Sequence, residues 1–278
     1  MKRNPLRPTY NALLDRLAAI DQTLHVIDIQ LQHAGQLLKR SLEEPRGRAP
    51  VVRAEHHFAV HDLRPTKLCE DGVRSSGRQT VAQNDQYLLT LQEVVSKTAC
   101  WTTSLSYEAF ETYLFDAAAA YLHDNQSEAD PKRMDRFKEN SGRRDVFSLD
   151  FWNSFVREIY RGRENKEIRA LHRALSPELS QIENWNNLRI DLNRWFRVVT
   201  ELRHAITHSN FELKSARMQS WSDREWDLFE DFTATARRKT PCTVLMTAAH
   251  AQKITRLFGS YGLTIFNLLS RKKQYNVC

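Results

Sequence analysis

The sequence predicts a mainly α-helical protein: a helical bundle with a small β-hairpin before its last helix, plus a long helix at the N-terminus. Three observations carry that expectation. Gly and Pro number only 8 each in 278 residues, about half their usual combined share of roughly 12%. A turn-rich sandwich or barrel needs more breakers than that. Apolar residues recur at steps of three and four along several long stretches, the spacing of one helix face. Hydrophobic residues make up 41% and charged residues 27%, enough apolar surface for a core and too much for a disordered chain.

Residues 9–42 read as one helix. Tyr10, Leu13, Leu17, Ile20, Leu24, Ile27, Leu31, Ala34 and Leu38 describe a heptad seam. Its flanking positions carry little charge (Leu14 and Gly35 among them), so no symmetric zipper is specified. The helix suits packing on its own protein or on a partner. Residues 43–79 gather Pro45, Gly47, Pro50, Pro65, Gly72 and Gly77 and read as a linker. His56, His57 and His61 fall there, near Asp62 and Cys69. The stretch looks extended, so exposed linker histidines are expected rather than a metal site.

Residues 80–123 resume a helical pattern. From Leu105 through Phe110, Tyr113 and Leu114 to Leu122 the apolar stripe is wide, as in a helix buried on more than one side. Residues 124–148 are polar and read as a loop. Residues 149–174 are helical with a break around Gly162, and Pro177 begins the next connection. In 187–209 Leu188, Leu192, Trp195, Phe196, Val199 and Leu202 form an apolar helix face. Phe229–Ala236 and Cys242–Met246 concentrate β-formers around Arg-Arg-Lys-Thr-Pro, which predicts the hairpin. Thr247 is placed to cap a final helix from Ala248 to about Ser270. The chain thus reads as an amphipathic helix (1–43), a linker (44–79) and a helical domain (80–278).

The formal charge is +7, yet Arg237 to Cys278 alone holds eight Lys and Arg and no Asp or Glu. A basic surface of that kind attracts phosphate backbones; a solvated helix face with a basic tail has the same composition. No apolar run reaches the ~18 residues of a membrane helix. The start, Met1-Lys2-Arg3-Asn4-Pro5, has no apolar stretch after it, so neither membrane insertion nor a secretory signal is expected. Cys69, Cys100, Cys242 and Cys278 lie far apart and form no CxxC pair, which fits neither a disulfide framework nor a zinc ribbon. A reduced, cytoplasmic protein is the expectation.

The chemistry-bearing stretch is Glu201-Leu202-Arg203-His204-Ala205-Ile206-Thr207-His208. His204 and His208 share a helix face, as in zinc helices of the HExxH kind, but Ala205 stands where the general-base Glu would be, and no third ligand is evident. Charged residues at a helix end also arise for structural reasons, a His near the C-terminus favouring the dipole. The third reading is a ribonuclease that works without a metal or other cofactor. RNA can be cut by its own 2′-hydroxyl attacking the adjacent phosphate. An imidazole of near-neutral pKa serves as base, and a guanidinium forks onto the phosphate oxygens. Five residues along an ideal helix rotate by about 500°, so Arg203 and His208 point roughly 140° apart. A distorted helix end, or a second copy across a two-fold axis, is needed to converge them.

An Arg, a polar residue, three more residues and a His at the end of a helix resembles the signature of the HEPN superfamily. Phe110-Glu111-Thr112-Tyr113-Leu114-Phe115-Asp116 is similar to the family's first core helix, and the order of elements agrees. The resemblance covers about residues 85–270. It implies a helical bundle that dimerises with the motif helices facing. Many members are RNases of toxin–antitoxin, abortive-infection or other antiviral systems; others are non-catalytic interaction or RNA-binding modules. It implies that Arg203 stabilises the scissile phosphate, that His208 acts as base or acid or positions the 2′-hydroxyl, that His204 supports them, and that Glu111 orients Arg203 or His204. RNA, a second copy of the chain and an antitoxin or defence-system protein are the implied partners. Where the family more often has Asn or Asp after the Arg, this chain has His204.

Overall fold

The computed structural model describes residues 3–43, 52–60, 74–82, 84–162, 165–237 and 242–275. Among them are ten α-helices and two pairs of short antiparallel strands, so the protein is mainly α. The chain divides into two units: Met1–Val26 with Ser96–Cys278, and Ile27–Val95. Residues 1–26, which include the first turns of the N-terminal helix, fall in the same unit as the C-terminal body.

The smaller unit takes α1 (Arg7–Glu43) from Ile27 onward and α2 (Asn84–Asp124) as far as Val95. Between them, β1 (Val52–Val60) pairs with β2 (Arg74–Ala82) in antiparallel register from Val52 opposite Ala82 to Val60 opposite Arg74. The stretch expected to be a linker therefore carries paired strands, with His56 opposite Arg78 and His57 opposite Gly77. His61, Asp62 and Cys69 lie outside the described residues.

The larger unit is built on α2, α7 (Leu192–His208) and α10 (Ala248–Lys272). Their aromatic rings meet at the centre. Phe110 packs on Phe258 at 5.0 Å and on Tyr261 at 5.2 Å, and Trp195 meets Phe258 at 4.9 Å. Thr247 caps α10 as expected, accepting from the His250 N–H. The first half of α1 lies on this body. Leu13, Leu17 and Leu24 of the predicted seam are buried, and Tyr10 stacks on Phe266 at 4.9 Å. Gly262 permits that approach, because a Cβ there would lie 2.5 Å from Leu13 Cδ2.

Several polar stretches are helical where a loop or strand was expected. α3 (Pro131–Ser141) is capped by Asp130, whose carboxylate accepts from the Lys132 and Arg133 N–H groups, and ends at Gly142 with φ +68°. Met134 and Phe137 are its buried side chains. After α4 (Leu149–Ile159) and α5 (Lys166–Leu175), on either side of the expected break, Pro177 leads into α6 (Glu178–Asn184). Its Glu183 is fully buried and accepts from Arg169 at 3.0 Å and Arg173 at 3.2 Å, with the Tyr261 hydroxyl as a third donor. Buried charge survives only when paired in this way.

A small antiparallel ladder does precede the last helix, but its strands are β3 (Glu212–Leu213) and β4 (Cys242–Thr243). Between them lie the short α8 (Ser215–Met218) and α9 (Asp223–Phe232). Residues 229–232, expected in a strand, are the last turn of α9. A capping box at Ser222 and Glu225 starts that helix, and Trp226, Phe229 and Phe232 bury one face of it.

Candidate active site at the end of α7

Asp191 starts α7 by accepting from the Arg194 N–H at 3.0 Å, and eight of the helix's residues are buried. Its last two turns emerge from the core. Leu202, Ala205 and Ile206 stay inside, Arg203 and His204 are half-buried, and His208 is exposed. The chain then leaves through a strained turn. Asn210 has φ +50° and Phe211 φ +66°. Left-handed backbone is an outlier for a bulky residue and concentrates at functional sites. The turn is held by the Phe211 N–H donating to Ala205 O at 2.9 Å and the Val244 N–H donating to Phe211 O at 2.7 Å.

Arg203 lies against α2. Its guanidinium carbon is 5.6 Å from the Tyr107 ring centre, a cation–π placement. Its nearest carboxylate is Glu108 at 3.7 Å, a long and partly solvated pair that constrains the guanidinium only weakly. Its Nε–H has no acceptor. Tyr107 is fixed below: its hydroxyl accepts from Asn165 at 3.1 Å and bonds Thr200 Oγ1 at 3.2 Å. Burial pushes the Tyr107 phenol up to about 12, so it serves as a neutral platform at physiological pH.

The two histidines lie together on another face of the helix, with ring centres 5.1 Å apart. That face also holds Glu201, which pairs with Arg217 of α8 at 2.8 Å. His204 has its pKa lowered, first by burial and then by the Arg217 charge, with His208 and Lys214 acting in the same sense and Glu201 opposing. The His204 imidazole is therefore held towards its neutral, proton-accepting form.

Thus His204 joins His208, whereas Arg203 stays with Tyr107 and Glu108. Among the described residues no hydrogen bond or ion pair links Arg203 to His208, or Glu111 to either Arg203 or His204. The carboxylate facing Arg203 is Glu108, one turn before Glu111. Glu108, Tyr107 and Phe211 did not emerge from the sequence, because each is recognised only by a contact with a distant segment. The Arg at the end of an amphipathic helix was the only available signal. Among the described residues no group of three or more His, Cys, Asp or Glu is placed to hold a metal ion.

Among the described residues, four of the eight cations of the basic C-terminal segment pair with acidic side chains. Arg237 pairs with Asp223, Lys253 with Asp231, and Lys272 and Lys273 with Glu128. Three carboxylates from earlier in the chain thus offset part of the charge, which a count along the sequence does not see; Arg238 and Lys239 lie outside the described residues. Cys100 and Cys242 are buried, and no helix among the described residues is long and apolar enough to cross a membrane. Comparison with protein-family models, with curated proteins and with solved structures gives no match.

Proposed function

We propose that this chain is a metal-independent endoribonuclease of HEPN type, a cytoplasmic toxin or anti-phage defence effector that cuts RNA in a site shared by two copies. What supports the reading is the end of α7: a weakly constrained guanidinium on a tyrosine platform, two contacting imidazoles and a strained exit turn. Arg203 would hold the non-bridging phosphate oxygens. The His208 imidazole, with His204 beside it, takes the proton of the 2′-hydroxyl. O2′ then bonds to phosphorus, the P–O5′ bond breaks, and the leaving O5′ gains a proton from the partner imidazole or water.

A second copy is required because Arg203 and His208 face apart within one chain. An apolar surface suited to such contact adjoins the site. Trp101 and Leu105 on α2 are 48% and 50% exposed, and Trp101 meets the Phe211 ring edge-on at 5.8 Å. The separation of Arg203 from His208 is also what a non-catalytic helical interaction or RNA-binding module would have, and that is the second reading.

The test is incubation of purified protein with mixed RNAs in EDTA, beside an Arg203→Ala/His208→Ala variant. Cleavage by the parent and loss of about a hundredfold or more in the variant is the expected result. Equal activity in both, or none in either, refutes the nuclease. Expression of the parent without an antitoxin should arrest growth, and His208→Ala should relieve the arrest.

A further inference from the structure

At the opposite end of α7, about 24 Å from His208 at 1.5 Å per residue, a cleft of about 730 Å³ opens between the α6–α7 connection and α9. On its rim stands Trp185, 88% exposed, unusual for an indole with nothing to cover it. The loop beneath is rigid. Asn186 donates to Ile182 O and Ile190 O and accepts from the N–H groups of Leu188 and Ile190, which uses its full hydrogen-bonding capacity. Arg189 is held in left-handed backbone, φ +56°, by its N–H donating to Asn186 O at 3.0 Å.

The charges in the cleft sort into spent and free. Arg194 is taken by Asp191 at 3.1 Å, and Asp231 by Lys253 at 2.6 Å. Arg189, Arg224 and Asp227 line the cleft, and no ion pair or hydrogen bond between side chains engages them among the described residues. Arg224 lies in the first turn of α9 between Asp223 and Glu225, whose carboxylates are committed to Arg237 and Arg197. A flat π-face, two free guanidiniums and one free carboxylate match the parts of a nucleotide. The base stacks on the indole, the phosphate takes the arginines, and a carboxylate accepts from an exocyclic amine or ribose hydroxyl.

We propose that this cleft docks a nucleotide of single-stranded RNA, a second contact for the strand cut at the other end of α7. The identity of the strand rests on the ribonuclease reading; the binding itself is measured without cleavage. The probe is a fluorescein-labelled oligocytidylate of about twelve nucleotides, titrated in EDTA with the full chain carrying His208→Ala. Adding Trp185→Ala should weaken binding about tenfold, whereas Trp185→Phe should stay within about threefold. Adding Arg189→Ala and Arg224→Ala together should weaken it and reduce the slope of log affinity against log salt by roughly 1.4.

Unchanged affinity in the Trp185→Ala and double-arginine variants, or no binding by the His208→Ala chain, overturns the proposal. Free cytidine monophosphate competing as tightly as the oligonucleotide overturns the assignment to a strand. A wild-type chain that cuts no RNA, with the binding pattern intact, refutes the nuclease and leaves the docking cleft. Cleavage with unchanged binding in the variants does the reverse.

Discussion

His172 on α5 is fully buried, and its Nε2–H donates to Leu114 O at 2.8 Å. Burial holds the imidazole neutral and its pKa down at about 4, against about 6.5 in an unfolded chain. Between those values the unfolded state takes up a proton that the folded state refuses. Stability therefore rises with pH across this window and falls as pH drops through it, by up to roughly 3 kcal/mol. Urea unfolding at neutral pH and near the acid end should show that loss, and His172→Gln should flatten it. An equal acid slope in both proteins would show that other groups govern it. At the candidate site the same physics acts in milder form. Partial burial and the Arg217 guanidinium lower the His204 pKa, so His204 remains available as a proton acceptor to a lower pH than a free imidazole.

Among the elements, α1 and α10 meet at a point with no room for a methyl group. Gly262→Ala would push on Leu13 and should cost about 1–3 kcal/mol. Pairing it with Leu13→Ala should cost less than the sum of the two single changes, since the cavity accepts the methyl. Additive losses in denaturant melts would mean that the contact is not as drawn. This contact also explains what was legible in the sequence. The seam from Tyr10 to Leu38 is the buried or half-buried face of α1, because period alone marks which side of a long helix meets a core. α3 and α9 were not legible by period. α3 buries only two apolar side chains and is defined by its caps. α9 buries aromatics that also favour strands, so its Ser222–Glu225 capping box was the telling signal. The pairing of β1 with β2 and of β3 with β4 joins segments separated by other chain, which local patterns do not register. The site divides along the same line. Arg203, His204 and His208 stand out by spacing within one helix, whereas Tyr107 and Glu108 matter only because α2 passes beside α7.

At the scale of the whole molecule, the proposed site needs two copies of the chain. In one chain the guanidinium of Arg203 rests on α2 while the imidazoles face α8, so neither half forms a complete phosphodiester site. The exposed Trp101 and Leu105 beside Arg203 supply the face a second copy would cover. Wild-type protein should run as a dimer by light scattering at micromolar concentration. Trp101→Glu should give a folded monomer without cleavage activity; a monomeric wild type, or an active monomeric variant, would remove the shared site. The most direct measurement uses an oligonucleotide 2′-O-methylated at all positions but one, incubated with the protein in EDTA. The account predicts a single cut at the one free ribose, leaving a 2′,3′-cyclic phosphate and a 5′-hydroxyl, lost with either Arg203→Ala or His208→Ala. Cutting at methylated positions, a requirement for added metal, or unchanged cutting by both variants would contradict it.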